Sequence, residues 1–239
     1  MKVISIDVGI KNLAYCLLET ETQNSETLNI LKWDSINLCG DSAPICTINE
    51  CKRKAKYFYD LNYFCEIIKD NKIYYCNTHA KKIENKQEII SKTISANKID
   101  LVSVGISVKK SLDVHFPILD EAVHIVIENQ ISPIATRMKT LQGMLMQYFI
   151  MRGCTSITFA SSINKLKAFT LNIGKKTSYK DRKKMGIEVT DKILNLLPLL
   201  TSWTALFLHH QKKDDLADSF LQGVWFLQSS KNLDKINIK

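Results

Sequence analysis

The first 38 residues alternate between apolar runs and short polar stretches. "KVISIDVG" (2–9) is rich in β-branched residues and ends at a glycine, and "LAYCLLET" (13–20) and "LNILKWDSINL" (28–38) follow after polar turns. Apolar runs of this length, bounded by turn residues, are typical of strands. The pattern therefore predicts an antiparallel meander of three strands at the start of the domain.

From residue 99 onwards, helical and strand periods alternate. Apolar residues at helical spacing predict helices, and short apolar runs bounded by polar residues predict strands. This order predicts an α/β domain with a mixed sheet and helices on both faces. The predicted elements are a helix over 101–116, a strand over 122–130, a helix over 135–153, a strand over 156–160, an amphipathic helix within 173–197 and a last helix from Lys212 or Asp214 to about Gln228.

Residues 39–98 differ in character from the rest of the chain. They hold five of the seven cysteines, many Lys and Tyr residues and no clear period. They are predicted to form an inserted module that ends in a polar helix, "AKKIENKQEIISKTI" (80–94), within a main domain made of 1–38 and 99–230. The region 40–80 has few large aliphatic residues, and a small module with so little core needs a stabilising cross-link.

A bound zinc ion is one candidate for that cross-link. The spacings Cys46-x4-Cys51 and Cys76-x2-His79 supply four ligands of the types that bind zinc tetrahedrally. The alternative is a set of scattered free thiols with a histidine there by chance. The preferred prediction is a structural Zn²⁺ held by these four residues.

Composition and charge limit the classes of protein that the chain can belong to. The 239 residues are 45% hydrophobic and 24% charged, which suits a globular domain with a core. The formal charge of +9 fits either a solvated lysine-rich surface or a polyanionic partner such as nucleic acid. The longest apolar region, 196–208, is too short and too polar to span a bilayer. We therefore expect an intracellular protein with no secretion signal and no membrane association.

Acidic residues stand at three points where apolar runs begin or end. Asp7 and Glu128 close predicted strands, and Asp215 and Asp218 are three apart on the last helix, so they share a face. A turn explains Asp7, and a helix cap explains one or two of the aspartates of the last helix. Neither explains Asp218, and Glu128 at the end of a buried strand needs a partner. Brought together, they would repel one another unless a cation neutralised them. Oxygen ligands suit Mg²⁺ or Mn²⁺, and two such ions about 4 Å apart promote phosphodiester hydrolysis. Asp214 competes with Asp215 for this role.

The segments around these acids resemble the signature blocks of a known family. "SIDVGIKN", "IVIENQ" and "DDLADSF" are similar to those of the RuvC-like Holliday junction resolvases, within the ribonuclease H-like superfamily. The resemblance is to the branch found in poxviruses and related large DNA viruses, and "SYKDRKK" (178–184) and "RMKTLQGMLMQYF" (137–149) share it.

This resemblance implies a fold, a site and an activity. The fold is a ribonuclease H-like mixed five-stranded sheet, with three antiparallel strands followed by two parallel ones, here with the zinc-binding insert. The activity is a Mg²⁺-dependent, structure-selective endonuclease that resolves four-way junctions by paired symmetric nicks, acting as a homodimer on branched DNA. A viral source would place it in the host cytoplasm, at sites of viral DNA replication. The D-x-x-D pattern favours Asp215 over Asp214, and the implied catalytic, metal-binding carboxylates are Asp7, Glu128, Asp215 and Asp218.

A basic segment, "GKKTSYKDRKK", precedes the acidic block. It is predicted to be a loop that binds phosphates, and the alternative is a solvated lysine-rich loop. The resemblance indicates Lys183 as a catalytic residue that stabilises charge on the scissile phosphate. Arg137 and Lys139, and more weakly Lys165 and Lys167, are further candidates for DNA backbone contacts. The cations of the segment are Lys175, Lys176, Lys180, Arg182, Lys183 and Lys184.

Three other functions fit parts of the sequence. Another ribonuclease H-like nuclease, cutting hybrids, flaps or transposon ends, would use the same carboxylates. An actin-like phosphotransferase would need a second glycine-rich loop, and the eight glycines are not clustered. A catalytically dead nucleic-acid-binding module would have no need of four acids.

Overall fold

In the computed structural model, the chain divides into two compact units, which are Met1–Leu38 with Leu101–Lys239, and Cys39–Asp100. No helix among the described residues has the length and apolar character needed to cross a membrane. The structure describes residues 1–39, 45–48, 50–60, 72–83, 91–92, 99–120, 122–131, 136–167, 169 and 178–238.

Strands and helices alternate along the described residues. The strands are β1 (Lys2–Asp7), β2 (Leu13–Glu19), β3 (Asn29–Ile36), β4 (Tyr57–Asp60), β5 (Lys72–Tyr75), β6 (Ser91–Lys92), β7 (His124–Glu128) and β8 (Ile157–Ala160). The α-helices are α1 (Asn77–Ala80), α2 (Leu101–His115), α3 (Thr136–Met151), α4 (Asn164–Lys167), α5 (Tyr179–Leu196), α6 (Thr204–His209) and α7 (Lys213–Ser229). Two 3-10 helices cover Ser25–Thr27 and Pro198–Trp203.

The larger unit is built on a five-stranded sheet in the order β3-β2-β1-β7-β8. The pairs β3-β2 and β2-β1 are antiparallel, whereas β7 and β8 run parallel to β1. The predicted mixed sheet is therefore confirmed. Ile6 pairs with Ile127, so Asp7 and Glu128 leave the paired region of adjacent strands side by side.

Helix α7 lies directly on the centre of this sheet. The buried side chain of Gln222 donates from Nε2 to Ser5 Oγ at 3.1 Å and to the carbonyls of Ile6 and Val126 at 3.1 and 3.2 Å. A Cβ added at Gly223 would lie 2.6 Å from Leu18 Cδ1. These contacts fix α7 along β1 and β7, and its first turns therefore reach the carboxyl ends of both strands.

Substitution of Gly223 tests this close approach. We expect Gly223→Ala to lower the free energy of unfolding by about 1–3 kcal/mol, because the methyl group overpacks the interface. The matched control is Gly143→Ala on α3, where no described atom lies within 4 Å of an added Cβ. The control should raise stability by up to about 1 kcal/mol through helix propensity. Urea unfolding measures both, and a fully stable Gly223→Ala variant would contradict the packing.

The smaller unit contains a three-stranded sheet in the order β5-β4-β6. Ser91 and Lys92 pair with Phe58 and Tyr57, and helix α1 ends at Ala80, so the predicted polar helix over 80–94 is wrong at 81–83 and at 91–92. The β-branched residues of "EIISKTI" favour a strand there. Residues 84–90 and 93–94 of that predicted helix lie outside the described residues.

The basic segment before the acidic block is helical from Tyr179 onwards. Ser178 caps helix α5, because its Oγ accepts a hydrogen bond from the Asp181 backbone N–H at 3.2 Å and donates to the Asp181 carboxylate at 2.6 Å. A serine N-cap of this kind satisfies a backbone donor at the start of a helix. The prediction of a loop is therefore wrong for 179–184, and Lys183 stands on a helix at a fixed position.

Candidate active site and metal cluster

A buried lysine joins three of the predicted carboxylates. Lys165 on α4 has only 4% of its side chain exposed. Its Nζ donates to Asp7 Oδ1 at 2.8 Å and to Glu128 Oε1 at 3.0 Å, and it lies 3.3 Å from Asp218 Oδ2. Acids from β1, β7 and α7 therefore converge on one positive charge, as the sequence predicted for their positions.

Burial strongly affects how these acids titrate. Burial raises the pKa of Glu128 to about 7, although the charge of Lys165 opposes the shift. Burial also raises the pKa of Asp218. For Lys165 burial favours the neutral amine, but the charges of Asp7, Asp218 and Glu128 outweigh it and raise the pKa above its usual range. The site therefore holds a permanent cation beside Glu128 and Asp218, two acids that burial makes costly to ionise.

The fourth predicted acid shares a cavity with the other three. This cavity has a volume of about 700 Å³ and is lined by Asp7, Glu128, Asp215, Asp218 and Lys165, with Tyr179, Arg182 and Lys183 from α5. The pKa of Asp215 is raised by burial and by the charges of Asp214 and Asp7. Carboxylates and cations thus surround one open space that a phosphate can enter.

Asp214 and Asp215 occupy different surroundings. Asp214 accepts a hydrogen bond from Lys183 Nζ, which lies 3.6 Å from Asp215 Oδ1. Burial would raise the pKa of Asp214, but the bond from Lys183 holds it below its usual value. Asp215 is one of the described residues that line the cavity, and Asp214 is not. Asp214 therefore orients Lys183, and Asp215 faces the cavity.

The other predicted DNA-binding residues that the structure describes lie on helices α5 and α3. Lys180 and Arg182 are exposed on the first turns of α5, and Lys184 is exposed with Glu188 at 3.6 Å. Arg137 and Lys139 lie in the first turn of α3. Lys175 and Lys176 lie outside the described residues.

Sequence reasoning missed the central position of Lys165. It treated both lysines of "NKLK" as weak candidates for backbone contacts. Residues two apart on a helix point in different directions, and here Lys165 is buried whereas Lys167 is exposed. The only signal in the sequence is a lysine beside Leu166 shortly after a predicted strand, and that signal does not choose between the two.

The predicted zinc ligands also come together, in the smaller unit. The ligand atoms of Cys46, Cys51, Cys76 and His79 all lie within 4.8 Å of one another. His79 Nδ1 is 3.2 Å from Cys46 Sγ and 3.8 Å from Cys76 Sγ, and the sulfurs of Cys51 and Cys76 are 3.9 Å apart. Backbone N–H groups of His79 and Thr78 lower the pKa of the Cys76 thiol to about 7. The cluster therefore fits a tetrahedral metal ion.

The five-stranded sheet, with acids at the ends of β1 and β7 and on α7, is a RuvC-like fold of the ribonuclease H-like type. The chain belongs to the family described as mitochondrial resolvase Ydc2 / RNA splicing MRS1, which matches residues 3–197. The predictions of a RuvC-like resolvase fold and family are thereby confirmed, and the family supports the predicted structure-selective junction endonuclease.

Individual relatives agree with this placement. "Uncharacterized protein L451" of Acanthamoeba polyphaga mimivirus is 29% identical over 314 residues, which cover 95% of this chain and 75% of the relative. The fold is similar to that of the fowlpox virus resolvase solved with Holliday junction DNA, with a TM-score of 0.51, 16% identity and coverage of 96% of this chain and 99% of that one. The fowlpox virus Holliday junction resolvase in a second structure gives a TM-score of 0.50, 15% identity and the same coverage.

Proposed function

We propose that this protein is a metal-dependent endonuclease that resolves four-way DNA junctions by paired symmetric nicks. The observation that carries the proposal is the convergence of three carboxylates within 3.3 Å of the buried Lys165 ammonium, beside a cavity lined by basic residues. Acids, cations and open space in one place suit phosphodiester hydrolysis. Membership of a resolvase family supports a junction as the substrate.

The carboxylates of the site suit a pair of Mg²⁺ or Mn²⁺ ions. All of the acidic donors are oxygens, which hard divalent ions prefer. The Lys165 ammonium supports the binding of cations here, because this positive charge already lies at hydrogen-bonding distance from three of these acids. When bound, the ions would activate a water molecule and stabilise the leaving oxygen. The proposed ligands are Asp7, Glu128, Asp215 and Asp218.

The basic side chains of the cavity have separate proposed roles. Lys165 reduces the repulsion between the acids and holds their orientation. Lys183 projects from α5 beside Asp215, where its ammonium can contact the scissile phosphate and stabilise developing charge. Arg182 lines the same cavity and can bind a neighbouring phosphate. Exposed Lys180 and Lys184, together with Arg137 and Lys139, would hold the DNA backbone farther from the reaction.

The paired nicks require a homodimer. A four-way junction with two-fold symmetry presents two equivalent strands, and two sites related by a two-fold axis are needed to cut both. Helix α2 exposes Val102, Ile106 and Val114, which offer an apolar surface for a second copy. Sedimentation velocity should give a dimer, and a monomer at the concentrations used for cleavage would contradict this part of the proposal.

Comparison of substrates tests the function directly. The protein is incubated with Mg²⁺ and a four-way junction, a Y-fork, a flap and an RNA–DNA hybrid of equal length. We expect paired nicks at symmetric positions on the junction and little cutting of the others. Preferred cutting of the hybrid or the flap would contradict junction resolution and favour another ribonuclease H-like activity. The variant Asp7→Asn, prepared in parallel, controls for contaminating nucleases.

The raised pKa of Glu128 predicts that metal binding depends on pH. Protons compete with the cation, so affinity should weaken as pH falls through the pKa of about 7. For one displaced proton, Mn²⁺ affinity should rise about tenfold from pH 6 to pH 8. Isothermal titration measures this change, and Glu128→Gln should bind more weakly with a smaller dependence on pH. An unchanged wild-type affinity across this range would contradict the assignment of Glu128 as a ligand.

In the smaller unit we propose a structural Zn²⁺ ion held by Cys46, Cys51, Cys76 and His79. Purified protein should contain about one zinc per chain, consistent with a closed four-ligand site. Cys76→Ser should lose the zinc and make the unit sensitive to proteolysis, because the small core depends on the bound metal for its stability. Cys39→Ser, a neighbouring cysteine outside the cluster, should retain it. Elemental analysis that finds no zinc in the wild type would contradict the proposal.

A further inference from the structure

Basic residues directly follow the zinc-ligand candidates of the smaller unit. Lys52, Arg53 and Lys54 come immediately after Cys51, and Lys81 and Lys82 come two and three residues after His79. Lys56 follows closely in the first segment. We call the six side chains the basic surface, and all six are exposed: Lys52, Arg53, Lys54, Lys56, Lys81 and Lys82.

The fold of the unit brings the two basic segments together. Arg53 Nη1 donates to Thr78 Oγ1 at 2.6 Å, and the Lys56 backbone N–H donates to the Tyr75 carbonyl at 2.9 Å. The sulfurs of Cys51 and Cys76 are 3.9 Å apart. Residues that are about 25 apart in sequence therefore present their charges on one small, internally bonded structure.

Few acids balance these charges within the described part of the unit. Its described residues include eight Lys or Arg residues and three acids, Glu50, Asp60 and Asp100. Among the described residues, the five lysines of the basic surface form no ion pair. Exposed cations on one small unit, five of them with no ion pair among the described residues, favour a polyanionic ligand.

We propose that the basic surface binds the phosphate backbone of a duplex DNA arm, as a second DNA contact on the chain. This inference rests on the proposed function, which supplies branched DNA as the ligand. Lysines contact phosphates without reading sequence, which suits an enzyme that selects a DNA shape. The nearby aromatics Tyr57, Phe58, Tyr74 and Tyr75 are only partly exposed, which favours backbone contact over stacking on unpaired bases.

Salt dependence of binding measures this contact. Each lost phosphate contact reduces the slope of log affinity against log salt by about 0.9. The variants Lys52→Ala/Lys54→Ala and Lys81→Ala/Lys82→Ala, each made in the full chain, should therefore lower the slope by up to about two units. Affinity for a long-armed junction should fall roughly tenfold near physiological salt. Fluorescence anisotropy without added Mg²⁺ measures binding in the absence of cleavage.

Two controls separate this contact from charge loss and from unfolding. Lys231→Ala/Lys235→Ala removes two exposed lysines from the C-terminal segment of the larger unit and should leave the slope unchanged. Lys52→Arg/Lys54→Arg retains the charge and should keep wild-type binding. The ligand residues of the cluster are unchanged in every variant, so equal zinc contents would exclude loss of the fold.

The outcomes distinguish this inference from the proposed function. If the wild type cuts the junction but both alanine variants bind with wild-type slope and affinity, the basic surface does not contact DNA and the inference is wrong. An equal loss of affinity in the Lys231→Ala/Lys235→Ala control would overturn it as well, because the effect would then be one of net charge. If the wild type binds the junction with the predicted slopes and never cuts it, the proposed function fails and the contact stands.

Discussion

Replacing Asp215 by asparagine is expected to reduce junction cleavage by ~10³-fold or more, since metal ions contribute several kcal/mol to the stabilisation of such transition states. Asp215 lines the cavity with the other proposed ligands, and its amide would lose the charge that attracts a cation. Junction binding should stay close to that of the wild type, because phosphate contacts come from basic residues. Single-turnover cleavage and gel shift measure the two effects separately.

Asp214→Asn is the matched control for this variant. It changes the same side chain one position earlier, where the carboxylate bonds to Lys183. Its effect on cleavage should be no more than about tenfold, because it disturbs the orientation of one cation and leaves the proposed ligands intact. Equal losses in both variants, or a larger loss at Asp214, would contradict the division of roles between the two residues.

Lys165→Met is expected to destabilise the protein by about 3–5 kcal/mol at neutral pH, because breaking a buried ion pair leaves uncompensated charge. Lys165 bridges Asp7, Glu128 and Asp218, and the variant leaves these acids facing one another. Cleavage should fall with stability, and Mn²⁺ should restore part of the stability by supplying positive charge. Thermal unfolding with and without Mn²⁺ measures both effects.

The difference in stability between Lys165→Met and the wild type should depend on pH. Burial already raises the pKa values of Glu128 and Asp218 above their usual values. An acid whose pKa is raised in the folded state stabilises the protein most at low pH. This stabilisation is lost as pH rises through the raised pKa. Lys165→Met should therefore be closer to the wild type at pH 5 than at pH 8. Lys167→Met, two residues later on α4 and exposed, should match the wild type at both.

The positions of the acids were predictable because several local signals agree. Asp7 and Glu128 close apolar runs that form adjacent strands, and the three-residue spacing of Asp215 and Asp218 places them on one helix face. The mixed sheet followed from the same runs, whereas the arrangement of its strands and the link between acids more than 200 residues apart came from the resemblance. Local pattern and long-range geometry pointed to the same site.

Other features depend on tertiary contacts that leave no periodic signal. Lys165 and Lys167 are equivalent in the sequence, and only the docking of α4 decides which of them enters the site. Residues 91–92 were predicted to be helical from their polar character, but pairing with β4 makes them a strand. The roles of Asp214 and Asp215 depend on where Lys183 stands, and that position follows from the Ser178 cap of α5.

The central claim is that carboxylates from β1, β7 and α7 converge to hold divalent cations. Anomalous scattering from crystals grown with Mn²⁺ tests it most directly. We predict one or two Mn²⁺ peaks bounded by oxygens of Asp7, Glu128, Asp215 and Asp218, at distances of about 2.0–2.2 Å for hard divalent ions. A map at saturating Mn²⁺ with no peak among these acids, and with metal bound elsewhere on the chain, would contradict the claim.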